Sequence, residues 1–306
     1  MVLYGYMSID TIAWPFKYAP KTIEDMILSE DNRQYFSALT DIPNNYLFVG
    51  LPGAGKTTMA KILAKKFAPN SYLFLNTSDE NGIETVRTKI KDFIGTMSFD
   101  GTQKIVICDE ADCLSASAQD ALRFIMEEYL DDVKFILTGN HKNKIREALQ
   151  SRCVSFDFSI DIKSVFHRIL RICEAESISL GLEQKKQLAQ LTKQFFPDIR
   201  RTINQVQRCC QSGTFVYNAN APETISREVA SMLASKTPVW DIRKFVISNE
   251  GSFSNDYLFL MRNLFDIFVE EKNSTAVMYI VDSIYKHAIV SDPEINFMGL
   301  LLNLSK

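Results

Sequence analysis

The sequence predicts an α/β fold with a long helical continuation, and three observations carry that reading. Short apolar runs alternate with helical spacing between residues 46 and 158. A glycine-rich turn separates the first of these runs from the helix that follows it. Beyond residue 160 the strand pattern stops and only helical spacing remains.

Taken in order, the strand candidates are Tyr46–Val49, Tyr72–Leu75, Ile105–Cys108, Phe135–Thr138 and Val154–Phe158. Thr57–Phe67, Ile83–Ile94 and Ala116–Tyr129 have helical spacing between them. Strands that are apolar almost throughout, joined by helices, indicate a parallel sheet covered on both faces. Asp161–Ala175, Glu183–Phe196 and Asp198–Gln211 read as three helices, interrupted at Gly181 and Pro197. A turn-rich stretch with Ser212, Gly213, Asn218, Asn220 and Pro222 reads as a linker. Further helices are expected near 223–235, 239–248, 254–271, 273–289 and 292–304. Asp256–Glu271 is apolar beyond a narrow stripe, as suits a core helix or one buried between subunits. The expected domains are 1–158, 159–221 and 222–306.

A chain of 306 residues is long enough for several cores. Hydrophobic residues at 46% and charged residues at 23% are ordinary for a globular protein. No apolar stretch reaches the roughly 20 residues of a membrane helix, and the N-terminus lacks the pattern of a signal peptide. A cytoplasmic protein without a membrane partner is expected. Cys108, Cys113, Cys153, Cys173, Cys209 and Cys210 include no C-x-x-C pair and no zinc spacing, so cytosolic thiols, mostly packed, are expected. The net charge of −3 excludes a surface that is basic throughout. Local basic stripes remain, at His141–Arg152 and at Arg87, Lys89 and Lys91, although a solvated helix face is the commoner explanation of such runs.

Gly50-Leu51-Pro52-Gly53-Ala54-Gly55-Lys56-Thr57-Thr58 is a full G-x-x-x-x-G-K-S/T motif, with a strand before it and a helix after it. Glycines let the backbone turn its N–H groups toward phosphate oxygens, and the helix adds its positive end. Gly50, Gly53, Ala54, Gly55, Lys56, Thr57 and Thr58 are therefore nucleotide-binding candidates. Lys56 is placed to reach the β- and γ-phosphates, and Thr57 to ligate Mg2+. Lys104–Asp109 is an apolar strand that ends in an acid, followed by Glu110. Asp109 is the second Mg2+ candidate, and Glu110 the general base for the attacking water. ATP and Mg2+ are thus the expected ligands, with hydrolysis the expected reaction. The string Asp109-Glu110-Ala111-Asp112 also occurs in RNA helicases, which need a second sheet domain that a helical chain cannot supply.

Together these residues resemble the ATPase subunits of sliding-clamp loaders, the replication factor C family of AAA+ proteins, and among them the large loader subunit of T-even-type bacteriophages. The resemblance extends by motif from about residue 14 to 212, and by helical content beyond. Trp14–Pro20 is similar to the family's W-x-E-K-Y-R-P strap, with Phe16 for Glu and Ala19 for Arg. It implies adenine contacts at Phe16, Lys17, Tyr18 and Ile27. Asn76–Ile83 resembles the N-A-S-D-E-R-G segment, with Asn81 where Arg is usual. In the family the helix beginning there faces the DNA backbone, which implies DNA contacts at Gly82, Ile83 and Arg87, joined by Ser115 and Lys144. Phe135–Asn140 is similar to the sensor 1 strand and implies that Asn140 contacts the attacking water or γ-phosphate. Ser151-Arg152-Cys153 matches the S-R-C signature and implies that Arg152 is a finger to the neighbouring subunit's ATP. Phe196–Asn204 resembles the sensor 2 helix, with Arg200 at the γ-phosphate.

The resemblance implies an AAA+ domain, a three-helix lid and a helical collar. It implies a pentamer with further copies and a different loader subunit, which opens a sliding clamp and places it on primer–template DNA by backbone contacts. ATP turnover would be stimulated by DNA and clamp. A helicase loader or initiator shares the phosphate loop and sensors but not the strap and S-R-C string. A scaffold that binds ATP without turnover would have no use for Lys56, Asp109, Glu110 and Arg152 together.

Overall fold

The computed structural model describes residues 13–79, 82–96, 103–210, 213–217, 221–253 and 256–305. The N-terminal segment before residue 13, Asn81, and linker residues Ser212, Asn218 and Asn220 lie outside these. The chain divides into two compact units, Met1–Phe215 and Val216–Lys306.

The first unit is built on five parallel strands, β1 (Tyr46–Val49), β2 (Tyr72–Asn76), β3 (Lys104–Asp109), β4 (Val133–Gly139) and β5 (Val154–Asp157), in the order β2-β3-β4-β1-β5. Its helices are α1 (Trp14–Lys17), α2 (Glu30–Ser37), α3 (Lys56–Phe67), α4 (Ile83–Gly95), α5 (Ala116–Glu128), α6 (Glu147–Gln150), α7 (Ile162–Ala175), α8 (Leu182–Phe195) and α9 (Ile199–Cys209). Alternation along the strands sends side chains to two separate cores. Tyr46, Phe48, Ile105, Ile107 and Ile136 pack with Met59, Ala60 and Leu63 of α3 and with Phe36 of α2. Leu47, Val106, Cys108, Phe135 and Leu137 pack on the opposite face with Val86 and Ile90 of α4 and Leu122, Ile125 and Met126 of α5. The central strands β1, β3 and β4 are buried because both faces are covered, as their apolar runs require. The edge strand β2 is half-buried, and the edge strand β5 is largely exposed despite its apolar residues.

Polar side chains tie distant parts of this unit together. The buried Lys104 ammonium donates to the carbonyls of Phe93 (2.9 Å), Ile94 (2.7 Å) and Thr96, so a cation closes the negative end of α4. The Asn45 side chain accepts from Phe135 N–H at 2.9 Å and donates to the Arg152 carbonyl at 3.4 Å. It thereby joins the start of β1 to β4 and to the loop before β5. Helices α1, α2 and α6 go beyond the sequence expectation. The α2 sequence is mostly polar, and it is fixed by burial of Phe36 and by Asn32 donating to the Asp157 carbonyl at 2.8 Å.

The second unit contains α10 (Ala221–Ala234), α11 (Val239–Ser248), α12 (Glu250–Phe253), α13 (Tyr257–Glu270), α14 (Ser274–His287) and α15 (Pro293–Leu304). Leu260, Met261, Leu264 and Phe268 of α13 lie in its core, so burial within the unit explains that helix's apolar excess. Asp256, Asn273 and Asp292 cap α13, α14 and α15 with side-chain oxygens.

Candidate nucleotide site

The phosphate loop runs from β1 into α3, and its conformation explains its glycines. Gly53 (φ 76°) and Gly55 (φ 93°) are left-handed, a region that costs other residues. A Cβ on Gly53 would lie 2.2 Å from Asp198 Oδ1, and one on Gly55 2.8 Å from Met26 Cε. Asp198 caps α9 by accepting from the Arg201 N–H at 2.9 Å. The loop is thus closed in by α9 on one side and by Met26, just before Ile27, on the other. Gly53→Ala is expected to destabilise the fold by about 1 to 3 kcal/mol, the cost of forcing atoms into packed space. A denaturant midpoint equal to wild type would contradict this approach of loop and helix.

Four functional candidates converge at the carboxyl ends of β1, β3 and β4, the edge where parallel sheets bind ligands. Lys56 is buried, and its Nζ donates to Gly50 O (2.8 Å), Leu51 O (2.8 Å) and Asn140 Oδ1 (2.9 Å). Desolvation lowers its pKa, while Asp109, Asp112, Glu110 and Asp198 act in the other direction. Thr57 Oγ1 donates to Asp109 Oδ1 at 2.6 Å, so the two Mg2+ candidates already meet. Among the described residues no group of three or more His, Cys, Asp or Glu is set to hold a metal. A magnesium site needs no such group, since one or two carboxylates suffice when phosphates and water complete its oxygen shell. The oxygens of Thr57 and Asp109 fit it. Glu110 follows in a left-handed conformation (φ 59°), which bends the chain away from β3 immediately after Asp109.

Two residues complete this arrangement without having been singled out in the sequence. The buried Thr138 donates to Asp109 Oδ1 at 2.7 Å and accepts from the Glu110 N–H at 3.1 Å, so one hydroxyl fixes the Asp109 carboxylate and the Glu110 backbone. A threonine closing an apolar strand was its only signal. Asp112 Oδ2 accepts from the N–H groups of Asn140 (3.2 Å) and His141 (3.0 Å), fixing the turn that aims Asn140 at Lys56.

The adenine candidates divide. Phe16 is 78% exposed and Ile27 is half-buried. Lys17 Nζ and Tyr18 Oη both donate to Glu176 Oε1, at 2.7 and 2.6 Å, at the end of α7. Burial opposes the charge on Glu176, yet these two hydrogen bonds hold its pKa below the ordinary value. Arg168 of α7 donates to the Tyr18 carbonyl at 2.9 Å, and the Trp14 N–H to Gln207 of α9 at 2.9 Å. The polar ends of Lys17 and Tyr18 are therefore engaged with α7. Arg200 stands exposed on the first turn of α9. Burial pushes the thiols of Cys108 and Cys153 up to about 12, so both are neutral packing groups.

Of the nucleic-acid candidates, Gly82, Arg87, Ser115 and Lys144 are exposed and Ile83 is half-buried. Gly82 begins α4 without a side-chain cap, and Arg87 is exposed one turn on. Ser115 caps α5, its hydroxyl accepting from the Ala118 N–H at 3.2 Å. Lys144 is exposed on a 3-10 turn. Gln119 ties the last two together by donating to the carbonyls of Leu114 (3.1 Å) and Lys144 (3.0 Å) and accepting from the Arg146 N–H at 2.8 Å.

Residues 46–164 match the ATPase family associated with various cellular activities, and residues 159–215 match the lid domain of the sliding-clamp-loader large subunit. The five-stranded parallel sheet, phosphate loop and helical lid thus define an AAA-type nucleotide-binding chain. It is 39% identical over 202 residues to replication factor C subunit 4 of Encephalitozoon cuniculi, covering 64% of each chain. With the replication factor C small subunit of Methanococcus maripaludis it shares 33% identity over 252 residues, 78% of this chain and 75% of the relative. The chain belongs to the replication factor C family. It spans 64% of the E. cuniculi relative, 64% of a Staphylothermus marinus small subunit and 60% of a Schizosaccharomyces pombe subunit 3. A solved structure of a DNA polymerase III gamma subunit-related protein from Thermotoga maritima is similar at TM-score 0.48 and 16% identity, over 90% of this chain and 98% of that one. No described helix is long and apolar enough to cross a membrane.

Proposed function

We propose that the chain is an ATP-hydrolysing clamp-loader subunit, of the kind that opens a sliding clamp and places it on primer–template DNA. The observation that carries this reading is the meeting of Lys56, Thr57, Asp109 and Asn140 at the ends of three adjacent strands. Lys56 binds the β- and γ-phosphates, exchanging its present carbonyl partners for phosphate oxygens. Mg2+, held by Thr57 and Asp109, would offset charge on those oxygens. Glu110 takes the proton of the attacking water, and Asn140 orients that water. Residues 159–221 act as a lid whose Arg200 reports the γ-phosphate, and the strap from Phe16 to Ile27 covers the base.

Arg152 completes the site of a neighbouring subunit, and the helices of 222–306 serve as the collar of a hetero-pentamer with a different loader subunit. The lid match supports a large-subunit role in the loader; the loader itself is read as one of the T-even phage type, acting in the host-cell cytoplasm. The test is ATP turnover by the full chain, with and without primed DNA, a candidate clamp and a candidate partner subunit. Stimulation by these additions is expected. Turnover indifferent to all of them would overturn the loader reading, and absence of turnover would leave a scaffold.

DNA is gripped through its phosphates by Gly82, Ile83, Arg87, Ser115 and Lys144, without base readout. Arg87→Ala or Lys144→Ala is expected to weaken binding alike for all sequences. Each should reduce the log–log salt slope by about 0.9, the value for one lost phosphate contact on duplex DNA. A loss confined to particular sequences would contradict backbone-only contact.

A further inference from the structure

The finger candidate does not project freely from this chain. Arg152 Nε donates to Glu127 Oε1 at 2.6 Å, and Nη2 donates to the same oxygen. Nη1 is taken by the Ala148 carbonyl and the Ser151 hydroxyl. All three guanidinium nitrogens are thus spent within the subunit, although the side chain is 31% exposed.

The partner is well placed to attract a cation. Glu127 and Glu128 occupy the last turn of α5, where no basic residue stands and the helix end is itself negative. Two acids there are unfavourable unless cations approach from elsewhere. Lys91 approaches Glu128 at 3.7 Å, and Arg152 supplies the charge at Glu127.

The pair is also built to open at small cost. Arg123, one turn earlier on α5, donates to Glu127 Oε1 at 3.2 Å, so Glu127 keeps a counter-charge when Arg152 leaves. The Arg152 backbone is pinned separately, its N–H to the Leu149 carbonyl (3.2 Å) and its carbonyl to Asn45 (3.4 Å). Release is therefore a side-chain rotation and needs no loop movement. Beside the pair lies a cavity of about 490 Å³ lined by Asn45, Met126, Glu127, Leu130, Ser151 and Arg152, which gives the side chain room to turn.

We propose that Glu127 is a positioning residue that stows the Arg152 guanidinium on its own subunit until a neighbouring ATP competes for it. This rests on the reading of Arg152 as the finger. A γ-phosphate bears more charge than a carboxylate and can accept two parallel bonds from the guanidinium, where Glu127 offers a single oxygen, so it outcompetes Glu127 once the subunits are in register. A subunit without a properly seated neighbour keeps the guanidinium folded back.

The experiment compares Glu127→Gln with wild type in the assembled full-chain complex at saturating ATP. Turnover is expected to rise roughly two- to fivefold, the range for releasing an ion pair of this exposure, with nucleotide affinity and melting temperature unchanged. The gain should vanish on an Arg152→Ala background, a coupling that loss of general stability would not produce. Unchanged or lowered turnover in Glu127→Gln, with Arg152→Ala inactive, would overturn the stowing role and leave the finger standing. Full activity in Arg152→Ala would overturn the finger reading, and the stowing role with it.

Discussion

Arg152→Ala is expected to lower ATP turnover by assembled subunits roughly 10³- to 10⁵-fold, the range for removing an arginine finger. Nucleotide affinity of each subunit should stay near wild type. A guanidinium presents five donors and a permanent charge, suited to the charge that develops on γ-phosphate oxygens. None of its present partners, Glu127, Ala148 and Ser151, belongs to its own subunit's phosphate loop. Loss of the side chain thus leaves Lys56, Thr57 and Asp109 undisturbed. Single-turnover rates with an equilibrium nucleotide titration separate the two effects. A matching loss of affinity would place Arg152 in ground-state binding.

Glu110→Gln is expected to reduce turnover roughly 10²- to 10⁴-fold, the usual contribution of a positioned general base. Glutamine keeps the size of the side chain but cannot take a proton from water at neutral pH. The bond to the Thr138 hydroxyl uses only the backbone N–H of Glu110, so the local turn should survive the change. ATP and DNA should still bind, and the complex should accumulate in its DNA-gripping state. Wild-type turnover by this variant would remove Glu110 from the role of base.

The elements with strong periodicity are legible in the sequence. All five strands and α3, α4 and α5 lie where apolar runs and helical spacing placed them. The short helices were not, because tertiary contacts rather than local pattern hold them. In α2 these are Asn32 on the Asp157 carbonyl and Phe36 in the core. The phosphate loop was legible because its chemistry is contiguous in the chain. Thr138 and Asp112 were not, since their roles appear only when β4 lies beside β3 and brings Thr138 to Asp109. The strap motif points Lys17 and Tyr18 toward the base, while their bonds to Glu176 join residues 159 and 158 positions apart. No local pattern reports such a partner.

Mixing two inactive variants measures most directly whether a site built from two subunits performs the chemistry. Lys56→Ala subunits lack the cation facing the phosphates but retain the finger. Arg152→Ala subunits retain the phosphate site but lack the finger. A mixed interface can pair the intact site of one with the intact finger of the other, so turnover should reappear and peak at intermediate ratios. Mixtures shown to assemble yet inactive at every ratio would contradict the shared site.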